Sequence, residues 1–554
     1  MGTSKHMILV PLFDLKSLGS FRRRRGRDFK SAALANQEHS GLQEMTELSD
    51  KNYDVIIVGG GNAALCAALS AREQGSSVLL LERAPVEERG GNSAYTDGLM
   101  RTVYEGADDI RAFAPDLTDE EVRVSDFGSY TESDFFDDMA RITQYRTDPD
   151  LCEILVKGSK PTLLWMRDQG VRFMPNFGRQ AFRIDGRFKF WGGATIVVAS
   201  GGPGLVDALY ARAEKNGVDI VYEAWVRDLI ADADGVRGVS LRYEGRDVEL
   251  FARAVVLACG GFEANAEWRT KYLGPGWDLA KVRGSRFNNG DGLAMALKLG
   301  AQPFGHWSGC HATAWERYAS DFGDLALTPQ YQRHSYPFAV VVNANGLRFI
   351  DEGADFRNYT YAKYGQAVLQ QPGQVAWQIY DAKTKHLLRD EYRTRHVTKV
   401  IGNTLEELAD KIEEVDKAQF LRTIQEFNAA VQDDVPFNPN VKDGRGARGL
   451  AVPRSNWACK IDTPPYEAYA VTCGVTFTFG GVKVSRDGEV LDTGNVRIPG
   501  LFAAGEMVGG IFYFNYPGAS GLTSGAVFGR LAGTSAGRYA LQNNAARASE
   551  RKYA

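Results

Sequence analysis

The sequence predicts an α/β protein built on a Rossmann-like parallel sheet. Three observations predict this class. An apolar run at 54–58 leads into a glycine-rich turn and a helical pattern, and two later apolar runs, at 255–258 and 501–504, also end in glycine. The third observation is composition, because the 554 residues include 60 glycines, against about 39 at an average usage of about 7%. Since glycine adds no side-chain chemistry, the excess indicates backbone that turns tightly or approaches a ligand.

The composition excludes several classes of protein. Hydrophobic residues make up 44% and charged residues 24% of the chain, which is typical of a globular protein rather than a disordered one. The net charge of −4 gives no sequence-wide field that would favour nucleic acid. No apolar run approaches about 18 residues, so we expect no membrane span. The six cysteines lack CxxC or zinc-ligand spacing, so we expect no metal site and a reducing, cytoplasmic location.

The first 50 residues differ from the rest of the chain. A short apolar stretch at 7–13 precedes Arg22-Arg23-Arg24-Arg25 in a serine-rich and basic context, which fits a targeting peptide or a solvated tail. We predict a disordered extension over 1–50 and a C-terminal tail over 541–554.

The first turn carries a dinucleotide-binding pattern. The sequence Gly59-Gly60-Gly61-Asn62-Ala63-Ala64 follows a strand and opens a helix, which is the context of a G-x-G-x-x-A fingerprint. The first glycine forms the tight turn, the second lets a pyrophosphate approach, and Ala64 permits close packing of helix and strand. A second strand ends at Glu82, at the offset expected for a carboxylate that binds an adenosine ribose.

Adjacent glycines at seven places indicate a flavin rather than a nicotinamide dinucleotide. They stand at 59–61, 90–91, 192–193, 201–202, 260–261, 480–481 and 509–510. A flavin needs later segments that return to the same sheet to seat its ring and ribityl chain. The strands before Gly260 and Glu506 are such returns, and Glu506 is placed to bind a polyol. Gly521 and Leu522 open a helical run to 536 whose first turn suits a flavin carbonyl, and no second fingerprint indicates a separate NAD(P)H site.

These motifs resemble the fumarate reductase/succinate dehydrogenase flavoprotein family over about residues 53–537. The resemblance implies a Rossmann-like FAD-binding domain of the glutathione reductase type. It places the FAD contacts at Gly59, Gly61, Asn62, Ala63, Ala64, Glu82, Arg83, Gly90, Gly91, Asn92, Ser93, Val226, Ala258, Gly260, Asp291, Glu506, Gly521 and Leu522. Members with covalent flavin use a histidine shortly after the loop at 90–93. Since residues 93–96 include none, we expect non-covalent FAD.

The family also inserts an α+β capping domain over the flavin, and residues 304–451 resemble it. The FAD-binding domain then comprises 51–303 and 452–540. Within the cap, residues 340–349 have the pattern of a hairpin with an Asn-Gly turn, and helical patterns follow at 404–415 and 417–432. An inserted domain that closes would exclude water from hydride transfer.

The resemblance places two substrate-binding residues. His311, in the segment Gly309-Cys310-His311-Ala312-Thr313, matches a family histidine that holds a substrate carboxylate; a packing histidine is the alternative. Arg357 follows the segment 348–352 and matches the family's proton-shuttle arginine. An arginine holds its proton far above neutral pH, so bidentate binding of a carboxylate is the less demanding role.

Two other positions depart from the fumarate reductases. Thr476 stands where the family has a carboxylate-binding histidine, and Tyr516 where it has a second carboxylate-binding arginine. The loss of two anion donors argues against fumarate or succinate as the substrate. The segment Tyr516-Pro517-Gly518 resembles that of 3-ketosteroid Δ1-dehydrogenases, in which the tyrosine is the base. A ketosteroid or cyclic-ketone desaturase is therefore one alternative.

Three longer stretches, 59–69, 355–365 and 512–518, resemble the FAD-dependent tricarballylate dehydrogenase subfamily. The resemblance implies oxidation of tricarballylate to cis-aconitate by hydride transfer to flavin N5, with electrons passed to a separate electron-transfer partner. His311 and Arg357 would hold the substrate, and Tyr516 or Arg357 would take the proton. An ene-reductase working in the reverse direction and a non-catalytic flavoprotein are the remaining alternatives.

A tricarboxylate needs further cations, and several basic residues are candidates. They lie near the expected flavin contacts or before the cap hairpin, and surface charge is the alternative for each: Arg101, Arg183, Arg187, Lys189, Arg333 and His334. An aromatic group is expected either to wall the pocket or to pack in the core: Tyr359, Tyr361, Phe512, Tyr513 and Phe514.

Overall fold

The structure is a computed structural model that describes the chain from Lys51 to Tyr553, with side chains as far as Gln542. The extension predicted for 1–50 therefore lies outside the described residues. No catalytic residue is assigned to it. In the described part of the chain, no helix combines the length and apolarity that a membrane crossing requires.

The strands range in length from two to 17 residues. They are β1 (Tyr53–Val58), β2 (Val78–Leu81), β3 (Leu99–Met100), β4 (Ser125–Asp126), β5 (Phe173–Pro175), β6 (Ala181–Ile184), β7 (Arg187–Phe190), β8 (Ile196–Val198), β9 (Asp219–Val221), β10 (Trp225–Asp232), β11 (Gly235–Tyr243), β12 (Arg246–Leu257), β13 (Lys281–Val282), β14 (Pro303–Glu316), β15 (Val340–Asn343), β16 (Ala376–Tyr380), β17 (Lys399–Gly402), β18 (Tyr466–Val482), β19 (Glu489–Leu491) and β20 (Arg497–Ala503).

The α-helices alternate with these strands. They are α1 (Asn62–Glu73), α2 (Ala107–Phe113), α3 (Asp119–Arg123), α4 (Glu132–Ile142), α5 (Pro149–Asp168), α6 (Phe177–Gln180), α7 (Gly201–Lys215), α8 (Ala266–Trp268), α9 (Asp291–Lys298), α10 (Tyr361–Leu369), α11 (Leu405–Lys411), α12 (Lys417–Ala430) and α13 (Ser520–Tyr553). Helix α13 extends beyond 536, where the sequence pattern ended, and through the segment assigned to the C-terminal tail.

The sheet that contains the fingerprint is mostly parallel. Its order is β10-β11-β12-β1-β2-β9, with β20 also paired to β12 and β19 to β20. The central strand β1 pairs in parallel with β2 on one side and with β12 on the other. Its side chains from Val55 to Val58 are buried, as expected for a parallel strand covered on both faces. The predicted α/β fold with a Rossmann-like FAD domain is confirmed.

Helices α1 and α13 pack with their backbones in close approach. Gly529 and Gly533 of α13 lie against the first half of α1, where a Cβ would come within 2.4 Å of the Ala63 carbonyl oxygen and 2.1 Å of the Ala67 carbonyl oxygen, respectively. These glycines belong to a series at 525, 529, 533 and 537, whose four-residue spacing places them on one face of the helix. The series explains part of the glycine excess by helix packing rather than by turns.

A second sheet forms around the long strand β18. Its order is β13-β18-β16-β15, and β14 and β17 also pair with β18. Helices α11 and α12 cover it through a core that includes Trp377, Ile379, Phe420 and Phe427. Because β18 lies within the predicted second FAD-binding segment and β15 to β17 within the predicted cap, this sheet joins the two predicted segments. The domain boundaries at 303 and 452 remain a prediction.

The expected features of the cap are present locally. Residues 343–346 form the turn predicted at Asn345-Gly346, with Gly346 donating its N–H to the Asn343 carbonyl at 2.9 Å. The hairpin itself is minimal, with one bridge from Val342 to Arg348, because β15 takes β16 as its antiparallel partner.

Substitution of Gly533 by alanine tests the contact between α1 and α13. Alanine gains about 0.5–1 kcal/mol of helix propensity, but the added methyl group overpacks a backbone contact, which costs about 1–3 kcal/mol. Gly537→Ala is the matched control, since the nearest atom to its added Cβ would be the Cβ of Gln74 at 3.1 Å, a much looser contact than the 2.1 Å at Gly533. We expect a lower melting temperature for Gly533→Ala than for Gly537→Ala in calorimetry. Equal melting temperatures would contradict the described contact.

Candidate active site

One cavity connects the fingerprint turn with the residues predicted to bind substrate. Its nucleotide side is lined by predicted FAD contacts: Gly59, Gly61, Asn62, Ala63, Glu82, Arg83, Gly91, Asn92, Ser93, Val226, Ala258, Gly260, Asp291, Glu506, Gly521 and Leu522. His311, Arg357, Thr476 and Tyr516 line the same cavity. Two predicted FAD contacts are not among the lining residues. Ala64 is fully buried within α1, and Gly90 makes room for Val206, whose Cγ1 would lie 2.7 Å from an added Cβ.

The glycine-rich turns leave an open cradle that fits a dinucleotide. A Cβ on Gly61 would meet no atom closer than 3.5 Å, and a Cβ on Gly91 would meet only the Gly61 backbone, at 3.8 Å. The first turn of α1 carries no acidic side chain, so its helix dipole can attract a pyrophosphate. The Asn62 N–H in this turn donates to the Ser93 hydroxyl at 3.1 Å. Asn62 has a structural role there, because its side-chain amide donates to the Leu522 carbonyl at 2.8 Å and ties α1 to α13.

Glu82 is held at the carboxyl end of β2 by backbone donors. Its Oε1 accepts from the Ala84 N–H at 2.8 Å, and Gly60 makes room for its Oε2, which would lie 2.2 Å from an added Cβ. Burial raises the pKa of Glu82 to about 6 despite these donors. Two further predicted FAD contacts, Arg83 and Asp291, form an ion pair in which Arg83 Nη1 lies 2.5 Å from Asp291 Oδ2.

His311 lies where the register of β14 against β18 is irregular. The pairing shifts between His306 and Cys310 and again between His311 and Ala312, and such bulges re-aim side chains beside active sites. The His311 ring is buried against Tyr361 and Tyr516, with centroid distances of 4.9 and 4.8 Å. Neither ring nitrogen has a hydrogen-bond partner among the described residues. His311 therefore has unused donor and acceptor capacity facing the cavity, unlike a packing histidine.

Tyr516 is carried by a strained loop. Phe514 and Ala519 on either side of it adopt left-handed φ values of 61° and 73°, which cost non-glycine residues about 1–2 kcal/mol each. The Tyr516 hydroxyl forms a hydrogen bond with the Tyr361 hydroxyl. Burial raises the pKa of Tyr516 well above its usual value, and the adjacent Tyr361 raises it further. Tyr516 is therefore a protonated phenol at neutral pH.

Thr476 lies on β18 at the second bulge, with its hydroxyl buried and without a hydrogen-bond partner among the described residues. Its carbonyl accepts from the Asn92 side-chain amide at 2.6 Å. The hydroxyl is thus available to a substrate, while the backbone is attached to the loop at 90–93.

Arginines concentrate at the substrate side of the cavity in a group that the sequence did not predict. Its members, called the arginine cluster below, are Arg179, Arg283 and Arg357, which line the cavity, and Arg389, which donates to the Arg179 carbonyl at 2.7 Å. The Nε atoms of Arg283 and Arg357 are buried without hydrogen-bond partners among the described residues. Arg283 directly follows β13 and precedes the predicted FAD contact Asp291 by eight residues. This proximity in the sequence is the signal that could have identified Arg283 as a site residue.

The cluster carries more positive than negative charge. Asp97 forms ion pairs with Arg179 and, at 3.7 Å, with Arg283, and Glu391 lies 3.2 Å from Arg179. Two carboxylates thus face four guanidinium groups. Buried charge is costly unless it is compensated, so this end of the cavity is built for an anion.

The cluster also keeps the neighbouring imidazoles neutral. Burial, and next to it the charge of Arg283, lowers the pKa of His311 well below its usual value. Burial and the charge of Arg357 have the same effect on His334, whose Nε2 lies 2.5 Å from the Thr313 hydroxyl. Burial also lowers the pKa of Arg357 itself.

Most of the additional cations expected from the sequence lie elsewhere. Arg101 is buried behind the Tyr516 loop, where it donates to the Gly518 carbonyl at 2.9 Å and pairs with Asp138 at 3.1 Å. Arg333 pairs with Glu316 at 2.7 Å. Arg183, Arg187 and Lys189 belong to β6 and β7 and do not line the cavity. Of the six candidates, His334 alone is a lining residue of this cavity.

The expected aromatic wall is partly present. Tyr361 and Phe512 line the cavity. Tyr359 instead donates to Asp138 at 2.6 Å, in the network around Arg101. Tyr513 and Phe514 stack around His306 outside the lining.

Comparison with known proteins identifies the class of protein to which this chain belongs. A family model described as an FAD binding domain matches residues 54–522, so this is an FAD-binding flavoprotein. The chain belongs to the FAD binding domain family, among the flavoproteins of the fumarate reductase/succinate dehydrogenase type, and is an FAD-dependent oxidoreductase.

Individual relatives support the same family. The chain is 28% identical to an NADH:fumarate oxidoreductase of Klebsiella pneumoniae over 92% of its own length, and it spans about half (50%) of that relative. A solved flavocytochrome c3 fumarate reductase in an open conformation is 26% identical, with a TM-score of 0.67, over 96% of this chain and 85% of that one. A 3-ketosteroid Δ1-dehydrogenase from Sterolibacterium denitrificans, 21% identical over 89% of this chain and 100% of that one, shares the fold with a TM-score of 0.67.

The protonation state of His311 is directly measurable. Because a lowered histidine pKa preserves the neutral form down to a correspondingly low pH, we expect no titration of His311 between about pH 5.5 and 8. Carbon-13 NMR of histidine-labelled protein, with His311→Asn to assign the resonance, measures this. A midpoint near 6.5 that disappears in His311→Asn would contradict the described burial.

Proposed function

We propose that the protein moves a hydride between FAD and one carbon of a C–C bond next to a carboxylate, in a substrate with several carboxylates. The observation that carries this proposal is the excess positive charge of the arginine cluster. An excess of two buried charges matches two carboxylates better than one. It also compensates for the two anion donors that Thr476 and Tyr516 replace.

FAD supplies the hydride chemistry when it is bound, and we propose that the predicted lining residues on the nucleotide side hold it without a covalent bond. The chain's own residues then bind and orient the substrate. Arg357 and Arg283 donate to carboxylates, and neutral His311 adds a hydrogen bond that polarises the carboxylate beside the reacting carbon. The surrounding aromatic rings exclude water, which strengthens each of these interactions.

The proton is exchanged by Tyr516 or Arg357. Tyr516 is a protonated phenol with Tyr361 beside it, and it can therefore deliver a proton to the carbon next to the one that receives the hydride. Oxidation of a saturated bond requires the reverse, a group that has lost its proton. The lowered pKa of Arg357 makes this residue the better acceptor in that direction.

The resemblance to tricarballylate dehydrogenases names tricarballylate and its product cis-aconitate as the first pair to test. Oxidation would remove a hydride and a proton from adjacent carbons and leave two electrons on the flavin for a separate acceptor. The ene-reductase direction fits the protonated Tyr516. A cyclic-ketone desaturase is the second candidate, because the two tyrosine hydroxyls could bind a carbonyl, but it leaves the arginine cluster without a partner.

Anaerobic stopped-flow spectroscopy distinguishes these reactions. We expect tricarballylate to bleach the oxidised flavin, or cis-aconitate to reoxidise the reduced flavin, whereas a 3-oxosteroid does neither. Activity with the steroid and with no polycarboxylate would replace the proposal by the second candidate. Failure of both carboxylates in both directions would remove this substrate class.

Two arginine substitutions separate the chemical and binding roles. Arg357→Gln should abolish hydride exchange while FAD remains bound. Arg283→Gln removes a charged hydrogen bond worth about 1.5–3 kcal/mol, so the Kd of tricarballylate, measured by flavin difference spectra, should rise about 10- to 150-fold. Arg183→Gln makes the same charge change at an exposed position. It should leave hydride exchange and the Kd of tricarballylate unchanged. Near-normal flavin reduction in Arg357→Gln would contradict its assignment.

A further inference from the structure

Glu263 is a fully buried carboxylate with no role in the proposed reaction. It follows β12 and stands two residues after Gly261. Its Oε1 accepts from two side-chain amides, Asn92 Nδ2 at 2.5 Å and Asn288 Nδ2 at 2.6 Å. Its Oε2 is buried and accepts no hydrogen bond from an N–H or O–H donor among the described residues. Neither Glu263 nor Glu506 takes part in an ion pair within residues 51–553.

The carboxyl group of Glu506 is within side-chain hydrogen-bonding reach of that of Glu263. Glu506 lines the cavity, and its Oε1 accepts from the Thr478 N–H at 2.6 Å and from the Thr478 hydroxyl at 2.9 Å. The space for this arrangement comes from the glycine pair. A Cβ on Gly261 would lie 2.1 Å from Glu506 Oε1, and a Cβ on Gly260 would lie 2.6 Å from Asn288 Nδ2.

Two carboxylates in such surroundings do not both ionise at neutral pH. Burial raises the pKa of each, and Glu263 raises that of Glu506 further. Of the other titratable groups near the pair, Arg269 is a buried cation whose charge interacts with that of Glu263, so it compensates one carboxylate and not two. Cys310 and Cys473 remain thiols, because burial raises their pKa values. Arg269 directs its guanidinium to backbone carbonyls, including that of Glu263 at 2.5 Å.

We propose that Glu263 and Glu506 share one proton. The protonated Glu506 donates to Glu263, and the remaining charge of Glu263 orients the amide of Asn92. Glu263 is therefore a positioning residue that fixes two cavity-lining side chains, Asn92 and Glu506, for FAD. This inference rests on the proposed FAD contacts and on no particular substrate.

A pH dependence of FAD binding follows. An ordinary glutamate loses its proton near pH 4.3. Because the pKa of Glu506 is raised, the pair keeps the shared proton from about that pH up to the raised pKa. When the pH rises through the raised value, the proton is lost and the two carboxylates repel each other. If FAD binding requires this proton, the Kd of FAD rises about tenfold per pH unit above the raised pKa.

The test is the Kd of FAD for the full-length apoprotein, measured by flavin fluorescence between about pH 6 and 10. Glu263→Gln keeps the amide contacts and donates to an ionised Glu506, so its Kd should be independent of pH over the range in which the wild type weakens. Glu506→Gln should likewise lose the dependence. Glu267→Gln, an exposed acid four residues away, is the matched control and should retain the wild-type profile.

Glu263→Leu separates positioning from charge. It removes the acceptor for Asn92, so we expect weaker FAD binding at every pH. The proposal is overturned if Glu263→Gln and Glu506→Gln retain the wild-type profile, or if Glu263→Leu binds FAD as tightly as Glu263→Gln. Because the readout is FAD binding, failure of every carboxylate substrate would disprove the proposed function and leave this result standing.

Discussion

The close contact between helices α1 and α13 is the constraint on which the rest of the cavity depends. One helix starts immediately after the fingerprint turn, and the other starts immediately after the Tyr516 loop. Glycines on α13 let its backbone approach the Ala63 and Ala67 carbonyls, and Asn62 joins the two N-terminal ends. The separation between the nucleotide side and the substrate side is therefore set by main-chain packing, which is less variable than side-chain packing.

The substrate side shows a different balance of forces. Burial opposes charge on every ionisable group there, and the groups respond in different ways. The imidazoles and phenols remain neutral, while the arginines share too few carboxylates, and burial lowers the pKa values of Arg357 and Arg389. A site of this kind is costly when it is empty, and binding of an anion recovers part of that cost. The same interactions that destabilise the free protein thus favour the bound state.

The sequence predicted the parts of the molecule that depend on local pattern. The fingerprint and the strands that return to it follow from motifs whose spacing is fixed by backbone geometry. The positions of His311, Arg357, Thr476 and Tyr516 came from the family resemblance, and all four line one cavity. Arg179 and Arg283 could not be predicted in this way, because each enters from a separate loop and only the tertiary fold brings them together. Arg101 shows the converse, since a basic residue near the expected site serves the Tyr516 loop instead.

The glycines show a further limit of sequence reasoning. The pair at 260–261 indicated backbone approaching a ligand, but the space it leaves is filled by the Asn288 amide and the Glu506 carboxyl group. The series at 525, 529, 533 and 537 has a four-residue period in the sequence, and two of its members serve helix packing rather than a turn. A glycine excess therefore identifies close approach without identifying what approaches.

The irregular pairing of β14 has an evolutionary consequence. Side chains alternate between the two faces of a strand, so loss of one residue at the bulge would turn the next residue toward the cavity. Cys310 precedes His311, and such a deletion would exchange an imidazole for a thiol at the same place. Insertions and deletions within this strand, as well as point substitutions such as those at Thr476 and Tyr516, would then diversify the chemistry available to related sequences.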